Sequence, residues 1–189
     1  VPANDCRIVA VVNSVQKYWA DNYDGYRQAQ TVFFSGAVST GCGNATSAVG
    51  PFYCPLDETV YIDLSFYDEL RSRFGAQGGP FAEAYVIAHE YGHHVENILG
   101  LLERGRDGDT GPSSNAVRIE LMADCLGGVW ARNAVDTGFV EAISDQDVAD
   151  GLDAAASIGD DRIQEQMSGQ VQPERWTHGS AEQRQKWFL

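Results

Sequence analysis

The stretch PFAEAYVIAHEYGHHVENILG, residues 80–100, carries the strongest structural signal in this chain of 189 residues. Pro80 suits the first turn of a helix, Gly100 suits its end, and Gly92 is the one helix breaker between them. The pattern predicts a helix of about five turns. Because Gly inside a helix costs about 1 kcal/mol relative to Ala, we expect a neighbouring element to pack closely against Gly92.

Two histidines of this helix point to a metal ion. His89 and His93 are four residues apart and therefore share a helix face, and Glu90 lies beside the first of them. In this H-E-x-x-H spacing two His hold zinc and the Glu deprotonates a water molecule that the ion activates. Chance gives only about 0.004 such matches in a shuffled chain of this composition. A structural zinc site favours Cys-rich cages, so we expect one catalytic Zn2+.

A second helix, predicted from residue 116 to about residue 134, offers the third protein ligand that such a site needs. Glu120 and Asp124 are four residues apart and share a face of that helix. We expect Glu120 to bind the metal and Asp124 to accept the free N–H of a ligand His. Glu96, one turn beyond His93, is the alternative ligand. The metzincin pattern is absent, because Glu and Leu stand where it has Gly and His.

One histidine lies far from this helix, in a loop before an amphipathic C-terminal helix. A peptidase needs a hydrogen-bond donor for the oxyanion of its tetrahedral intermediate, and His178 is the candidate. The alternative is an ordinary structural His. His94 is turned off the metal face, and we expect it to be structural.

Composition and charge limit the number of domains and the kinds of partner that we expect for this chain. With 43% hydrophobic and 11% aromatic residues, it has material for one domain, which we place at residues 1–189. The net charge of −14 and the lack of a Lys/Arg cluster exclude nucleic acid as the expected partner. No run of about 18 apolar residues predicts a membrane span. The polar start lacks a basic region, so we expect a mature or trimmed form.

Four cysteines allow three disulfide pairings, with a zinc cage as the rival use. Cys42 and Cys54 flank a loop of small polar residues, and a covalent link would stabilise such a loop. We favour Cys42 with Cys54, which leaves Cys6 with Cys125. Disulfides indicate an oxidising compartment, so we expect an extracytoplasmic or secreted protein.

The remaining pattern predicts a mixture of helices and strands. Residues 5–19 and 66–74 have helical spacing, residues 31–34 and 59–64 have β character, and Ser144 caps a helix that runs through Ile158. We expect residues 59–64 to form a sheet edge along which an extended peptide lies, the alternative being an ordinary strand. This helix and the shorter one that begins at residues 159–161 are expected to contribute packing only.

With these residues in hand, the chain resembles the bacterial neutral zinc metallopeptidases, a largely uncharacterised family often found behind an N-terminal membrane anchor. The resemblance covers nearly the whole length and rests on the segments FSG, GCGNATSAVGPFYCP, VYIDLSF, AYVIAHEYGHH, RIELMADCLGGVWA, AAASIGDDRIQ and THGSAEQR.

The chain is also similar, more distantly, to gluzincins of the CAAX prenyl protease type, through H-E-x-x-H, E-x-x-A-D and a C-terminal His followed six residues later by Arg. That likeness implies that His178 contacts the oxyanion and that Arg184 anchors a carboxylate near the zinc. Gly179 and Ser180 replace the Pro-Pro of that group.

These observations predict an α+β fold of gluzincin type, with a small mixed or antiparallel sheet packed on several helices around the H-E-x-x-H helix. The expected function is zinc-dependent endopeptidase activity, with Glu90 as general base and a peptide or protein as substrate, in a monomer. Two alternatives stay open: a catalytically silent extracytoplasmic module that binds zinc and peptides, and an amide hydrolase that acts on cell-wall material.

Overall fold

The structure, a computed structural model, describes the backbone of residues 3–72 and 79–189, and the side chains in these ranges except those of residues 3–5, 48 and 69–71. This part of the chain is a mixed α+β structure with seven α-helices, five strands and a few short 3-10 turns. The helix predicted over residues 66–74 is present up to Ser72, and its predicted end lies outside the described residues.

The helices begin and end close to the predicted positions. Ser114 caps one of them by accepting the N–H of Val117, and Ser144 and Asp147 form a reciprocal capping box at another. The helices are α1 (Ala3–Asn22), α2 (Phe66–Ser72), α3 (Pro80–Ile98), α4 (Asn115–Asn133), α5 (Asp145–Ser157), α6 (Asp160–Ser168) and α7 (Ala181–Phe188).

The strands form a mixed three-stranded sheet and a separate hairpin. In the sheet, β5 (Thr59–Asp63) lies between β1 (Gln30–Phe34), which runs parallel to it, and β4 (Phe52–Cys54), which runs antiparallel. The hairpin consists of β2 (Ala37–Thr40) and β3 (Gly43–Thr46).

The prediction that residues 59–64 form the sheet edge is wrong. β5 is the central strand, and all five of its residues are buried. The side-chain pattern of a strand reports whether its two faces are covered, and not whether other strands pair with it along both sides, so the pattern does not distinguish a central position from an edge. The edges of this sheet are β1 and β4 instead, and β4 is the one packed more extensively against α3.

Helix α3 is the most deeply buried helix of the described chain. Residues 81–96 are all buried, including the polar ones, and the helix contacts α1, α4 and α5. A helix that is apolar on most of its circumference has to be covered on several sides. Its side chains share one core with Val15 of α1, Ile62 of β5 and Trp130 of α4.

The expected close contact at Gly92 is present, and the neighbouring element is α4. A Cβ atom on Gly92 would lie 2.8 Å from the backbone oxygen of Ala123 and 2.9 Å from its Cα. No side chain fits between these two backbones, so Gly lets α3 and α4 approach closely. This crossing brings the carboxylates of α4 to the histidines of α3.

One predicted disulfide is present and the other is not. Cys42, in the turn of the hairpin, is bonded to Cys54 at the end of β4. Cys6 and Cys125 are free thiols, which corrects the pairing that we inferred by elimination. The physical reason is helical geometry: Cys6 is exposed on the side of α1 opposite its core-facing residues Ile8, Val11, Val12, Val15 and Trp19.

In the part of the chain that the structure describes, none of the helices has the length and apolar character needed to cross a bilayer.

Candidate active site

Three predicted ligand residues converge where α3 crosses α4. His89 and His93 extend from α3, and Glu120 extends toward them from α4. Glu120 Oε2 lies 3.1 Å from His89 Nε2 and 3.4 Å from His93 Nε2. The ligand atoms of these three side chains all lie within 4.8 Å of one another, so the three can share one metal ion. In the described part of the chain, this is the group of His, Cys, Asp and Glu residues with that arrangement.

This donor set fits zinc. Two imidazole nitrogens and one carboxylate oxygen are the ligands of many catalytic zinc sites, in which a fourth position stays open. Zinc bonds of about 2.0 to 2.2 Å place tetrahedral ligand atoms about 3.3 to 3.6 Å apart. The two measured separations from Glu120 come within a few tenths of an ångström of that range.

Asp124 orients His89. Its Oδ1 accepts a hydrogen bond from His89 Nδ1 at 2.8 Å, so Nδ1 carries a proton and Nε2 is the nitrogen that faces Glu120. The Tyr85 hydroxyl donates to the same oxygen at 2.5 Å, and Arg184 donates from Nε to Oδ2 at 2.9 Å. Burial opposes ionisation of Asp124, but Arg184 and His89 outweigh it and lower its pKa to about 2.

Glu96 holds the second histidine in the same way. Its Oε2 accepts from His93 Nδ1 at 2.7 Å, on the opposite side of the imidazole from the nitrogen that faces Glu120. Glu96, the alternative ligand in our sequence analysis, is fully buried and lies outside the three-residue group. Its (i, i+3) spacing from His93 is a sequence signal for this orienting contact, which we did not use.

The surrounding carboxylates favour positive charge on the two imidazoles. Burial acts to lower the pKa of His89, but Asp124 and Glu120 outweigh it and raise this pKa to about 9. His93 is buried as well, and Glu120 and Glu96 raise its pKa well above the ordinary value. Burial opposes the charged form of Glu120, yet His93 and His178 hold its pKa well below the usual range. A cation is stabilised at this point of the structure.

Glu90 borders the ligand group and lines a cleft of about 630 Å³. Burial raises the pKa of Glu90 more than the nearby histidines lower it. This shift moves the carboxylate toward the range in which a general base works at neutral pH. The apolar lining of the cleft includes Val49, Phe52, Phe66, Leu102, Ile119 and Ile163.

The structure also brings the two predicted C-terminal residues to this cleft. Both His178 and Arg184 are among its lining residues. Arg184 is only 2% exposed and pairs with Asp124, the type of contact that the gluzincin likeness implies. The His178 side chain is 52% exposed. The nearby Glu120 carboxylate raises the pKa of His178 more than burial lowers it.

His94, which we expected to be structural, connects the edge strand to α3. Its Nε2–H donates to the carbonyl oxygen of Arg27 at 2.7 Å, so Nδ1 accepts from the Tyr53 hydroxyl at 2.9 Å. Asn97 donates to that hydroxyl at 3.0 Å. Burial lowers the pKa of His94, which keeps it neutral in this role. These bonds secure Tyr53 of β4 in the wall of the cleft.

The chain matches a known protein family over nearly its whole length. Residues 5–189 match the model of a family described as "Putative neutral zinc metallopeptidase". The chain belongs to this family. A family assignment over this range supports zinc-dependent peptidase chemistry in general terms.

Two relatives with similar sequences have names that assign them no activity. The chain is 53% identical over 190 residues to the uncharacterized protein Rv2575 of Mycobacterium tuberculosis, covering 97% of this chain and 65% of the relative. It is 43% identical over 187 residues to the uncharacterized protein YpfJ of Escherichia coli K12, covering 94% and 64% respectively. The chain thus spans slightly less than two thirds of the length of these relatives. No solved structure matches the chain.

Proposed function

We propose that this protein is a zinc-dependent endopeptidase of gluzincin type. The observation that carries the proposal is the convergence of His89, His93 and Glu120 beside Glu90 in one cleft. A protein that only held zinc would have no need of a further carboxylate that lies in the cleft beside the ligands without belonging to the ligand group.

The three ligand residues would hold the ion, and Asp124 and Glu96 would keep the two imidazoles in orientation. Zinc bound at this site supplies a Lewis acid that lowers the pKa of a water molecule and polarises the peptide carbonyl. Glu90 takes the proton of the attacking water and then donates it to the nitrogen of the leaving amine. His178 donates a hydrogen bond to the oxyanion that forms between these two steps.

The edge strand β4 is the proposed backbone partner of an extended substrate. Among the described strands it pairs with β5 on one side only, and Phe52 and Tyr53 line the cleft. An extended peptide that adds to such an edge gains main-chain hydrogen bonds, and its alternate side chains enter the apolar lining. The network of His94 and Asn97 around Tyr53 stabilises this wall.

The site is proposed to act within a monomeric domain of residues 1–189 in an extracytoplasmic location. The disulfide between Cys42 and Cys54 supports an oxidising compartment. It joins the hairpin to β4, so the covalent link lies next to the proposed substrate edge.

A peptide library with internally quenched fluorophores tests the proposal. We expect the zinc-loaded protein to cleave library members, and a chelator to abolish cleavage reversibly. Purified peptidoglycan serves as the parallel substrate. Cleavage of peptidoglycan but not of the library would identify the protein as a cell-wall amide hydrolase, and zinc-dependent binding of peptides without turnover would identify a silent binding module.

A further inference from the structure

Asp160, at the start of α6, holds the loop that carries His178. Its Oδ2 accepts the backbone N–H groups of three successive residues: Thr177 at 2.8 Å, His178 at 2.7 Å and Gly179 at 2.9 Å. The backbone N–H of Asp160 in turn donates to the carbonyl oxygen of Gly179 at 2.8 Å. Four hydrogen bonds therefore join this residue to the loop.

Three successive N–H groups that converge on one point form an anion-binding concavity. In this protein the anion is a side chain of the chain itself. Burial opposes ionisation of Asp160, but its bonds with His178 and Gly179 outweigh burial and lower its pKa. The contact is thus charge-assisted at neutral pH and stronger than an ordinary side-chain bond. Helix α6 contributes no fully buried residue, so core packing does not account for this arrangement.

The same carboxylate lies on one side of the His178 ring. Nδ1 of His178 is 2.9 Å from Thr177 Oγ1 and 3.6 Å from Asp160 Oδ1. Among the described residues, Nε2 of His178 has no hydrogen-bond partner, and the side chain lines the cleft that contains Glu120. Asp160 of α6 therefore contacts both the backbone of the loop and the Nδ1 side of the ring. Nε2, on the other side of the ring, is free to contact a substrate.

We propose that Asp160 is a positioning residue that holds His178 at the cleft with Nε2 directed to the reacting carbonyl. This inference rests on the proposed function, because it assigns Asp160 a task through His178. It also differs from our sequence analysis, which gave the short helix at residues 159–161 a packing role only.

The neighbouring Asp161 supplies a matched control. It lies at the same helix start, and its Oδ1 accepts the N–H of Ala181 at 2.7 Å, beyond the His178 loop. Asp160→Ala removes the acceptor for all three loop N–H groups, whereas Asp160→Asn keeps one side-chain oxygen that can replace Oδ2. Asp161→Asn changes the same surface without altering the loop at His178.

Steady-state kinetics on the zinc-loaded proteins give the first test. We expect Asp160→Ala to lower kcat about 100-fold with little change in KM, the order of effect of a 1 Å misplacement. Asp160→Asn should recover most of this loss, and Asp161→Asn should match the wild type. Adding Asp160→Ala to His178→Ala should cause no further loss, because both changes act through one ring. An additive loss would overturn the proposal.

Nuclear magnetic resonance of His178 tests the same contact without any substrate. In the wild type and in Asp161→Asn, we expect slow hydrogen exchange at the amides of residues 177–179 and one fixed tautomer of the neutral His178 ring. Asp160→Ala should accelerate exchange and mix the tautomers, and Asp160→Asn should preserve both signals if Asp160→Ala fails to fold. Unchanged signals in a folded Asp160→Ala protein would overturn the proposal. If the wild type cleaves no peptide, the proposed function fails, and these signals still decide whether Asp160 holds His178.

Discussion

Each proposed ligand histidine is hydrogen-bonded to a buried carboxylate. Asp124 accepts from His89 Nδ1, and Glu96 accepts from His93 Nδ1. Both carboxylates are fully buried, so neither exchanges freely with water. Such partners set the tautomer and direction of a ligand ring, and their loss typically weakens metal binding or activity about 10- to 100-fold.

Substitution of Glu90 distinguishes its catalytic role from metal binding. We expect Glu90→Gln to bind about one zinc per chain and to lose hydrolysis, because the change removes a base and no ligand. Metal analysis of the purified variant, together with turnover of the peptide library, checks this result. Substantial hydrolysis by a zinc-replete Glu90→Gln protein would contradict the assigned mechanism.

Glu120 and Glu96 can be told apart by zinc affinity. We expect Glu120→Ala to weaken zinc binding severely, because it removes a ligand, and Glu96→Ala to weaken it only about 10- to 100-fold. Competition with a chromogenic chelator measures both affinities under the same conditions. Normal zinc binding by Glu120→Ala together with severe loss in Glu96→Ala would show that the ligand assignment is wrong.

At the scale of elements, the site depends on how closely α3 and α4 cross. A methyl group at Gly92 meets the backbone of Ala123 at 2.8 Å, and backbone cannot rotate away as a side chain can. We expect Gly92→Ala to destabilise the fold by about 1 to 3 kcal/mol and to reduce zinc affinity, because α4 must move and carries Glu120 with it. Denaturant unfolding and chelator competition measure the two effects.

Gly127 is the matched control for that experiment. It lies within α4 on the face toward α3, but a Cβ there would be 3.5 Å from its nearest neighbours, which is ordinary contact. Gly127→Ala should therefore leave zinc affinity unchanged and should stabilise the helix by up to about 1 kcal/mol. Equal effects of the two substitutions would mean that close approach at Gly92 is not what positions α4.

The disulfide acts on the hairpin and the proposed substrate edge. Peptide mapping under non-reducing conditions should find Cys42 joined to Cys54, with Cys6 and Cys125 as free thiols. Because the bond closes a loop of 12 residues, its reduction should cost about 2 to 3 kcal/mol of stability in the chain-entropy model. Thermal unfolding with and without reductant measures this cost. A linked pair of Cys6 and Cys125 would contradict the arrangement of α1.

For the whole molecule, a metal ion bound by residues of α3 and α4 would link these two core helices and stabilise the fold. A ligand that binds only the folded state, present at about 1,000 times its Kd, stabilises a protein by about 4 kcal/mol. For a chain of this size that corresponds to a Tm increase of about 8 to 16 °C. We expect a chelator to lower Tm by this order in the wild type and to have no effect on Glu120→Ala. A chelator effect of the same size in both proteins would place the stabilising metal elsewhere.

Local sequence spacing was sufficient to predict those parts of the site that lie on a single helix. The four-residue intervals between His89 and His93, and between Glu120 and Asp124, put each pair on one face whatever the rest of the chain does. The same rule, applied to α1, would have excluded Cys6 from a buried disulfide. Helix caps at Ser114 and Ser144 are likewise local, because one side chain bonds the backbone three residues ahead.

The sequence by itself therefore determined the helices, the ligand candidates and the family, since these depend on short-range periodicity and on residue types. Only the tertiary structure decided which strand is the edge, what Glu96 does and how His178 is held. A fully buried strand has the same apolar pattern at the centre or the edge of a sheet, so its neighbours decide its position. The contact of Asp160 with residues 177–179 joins positions that chain folding alone brings together.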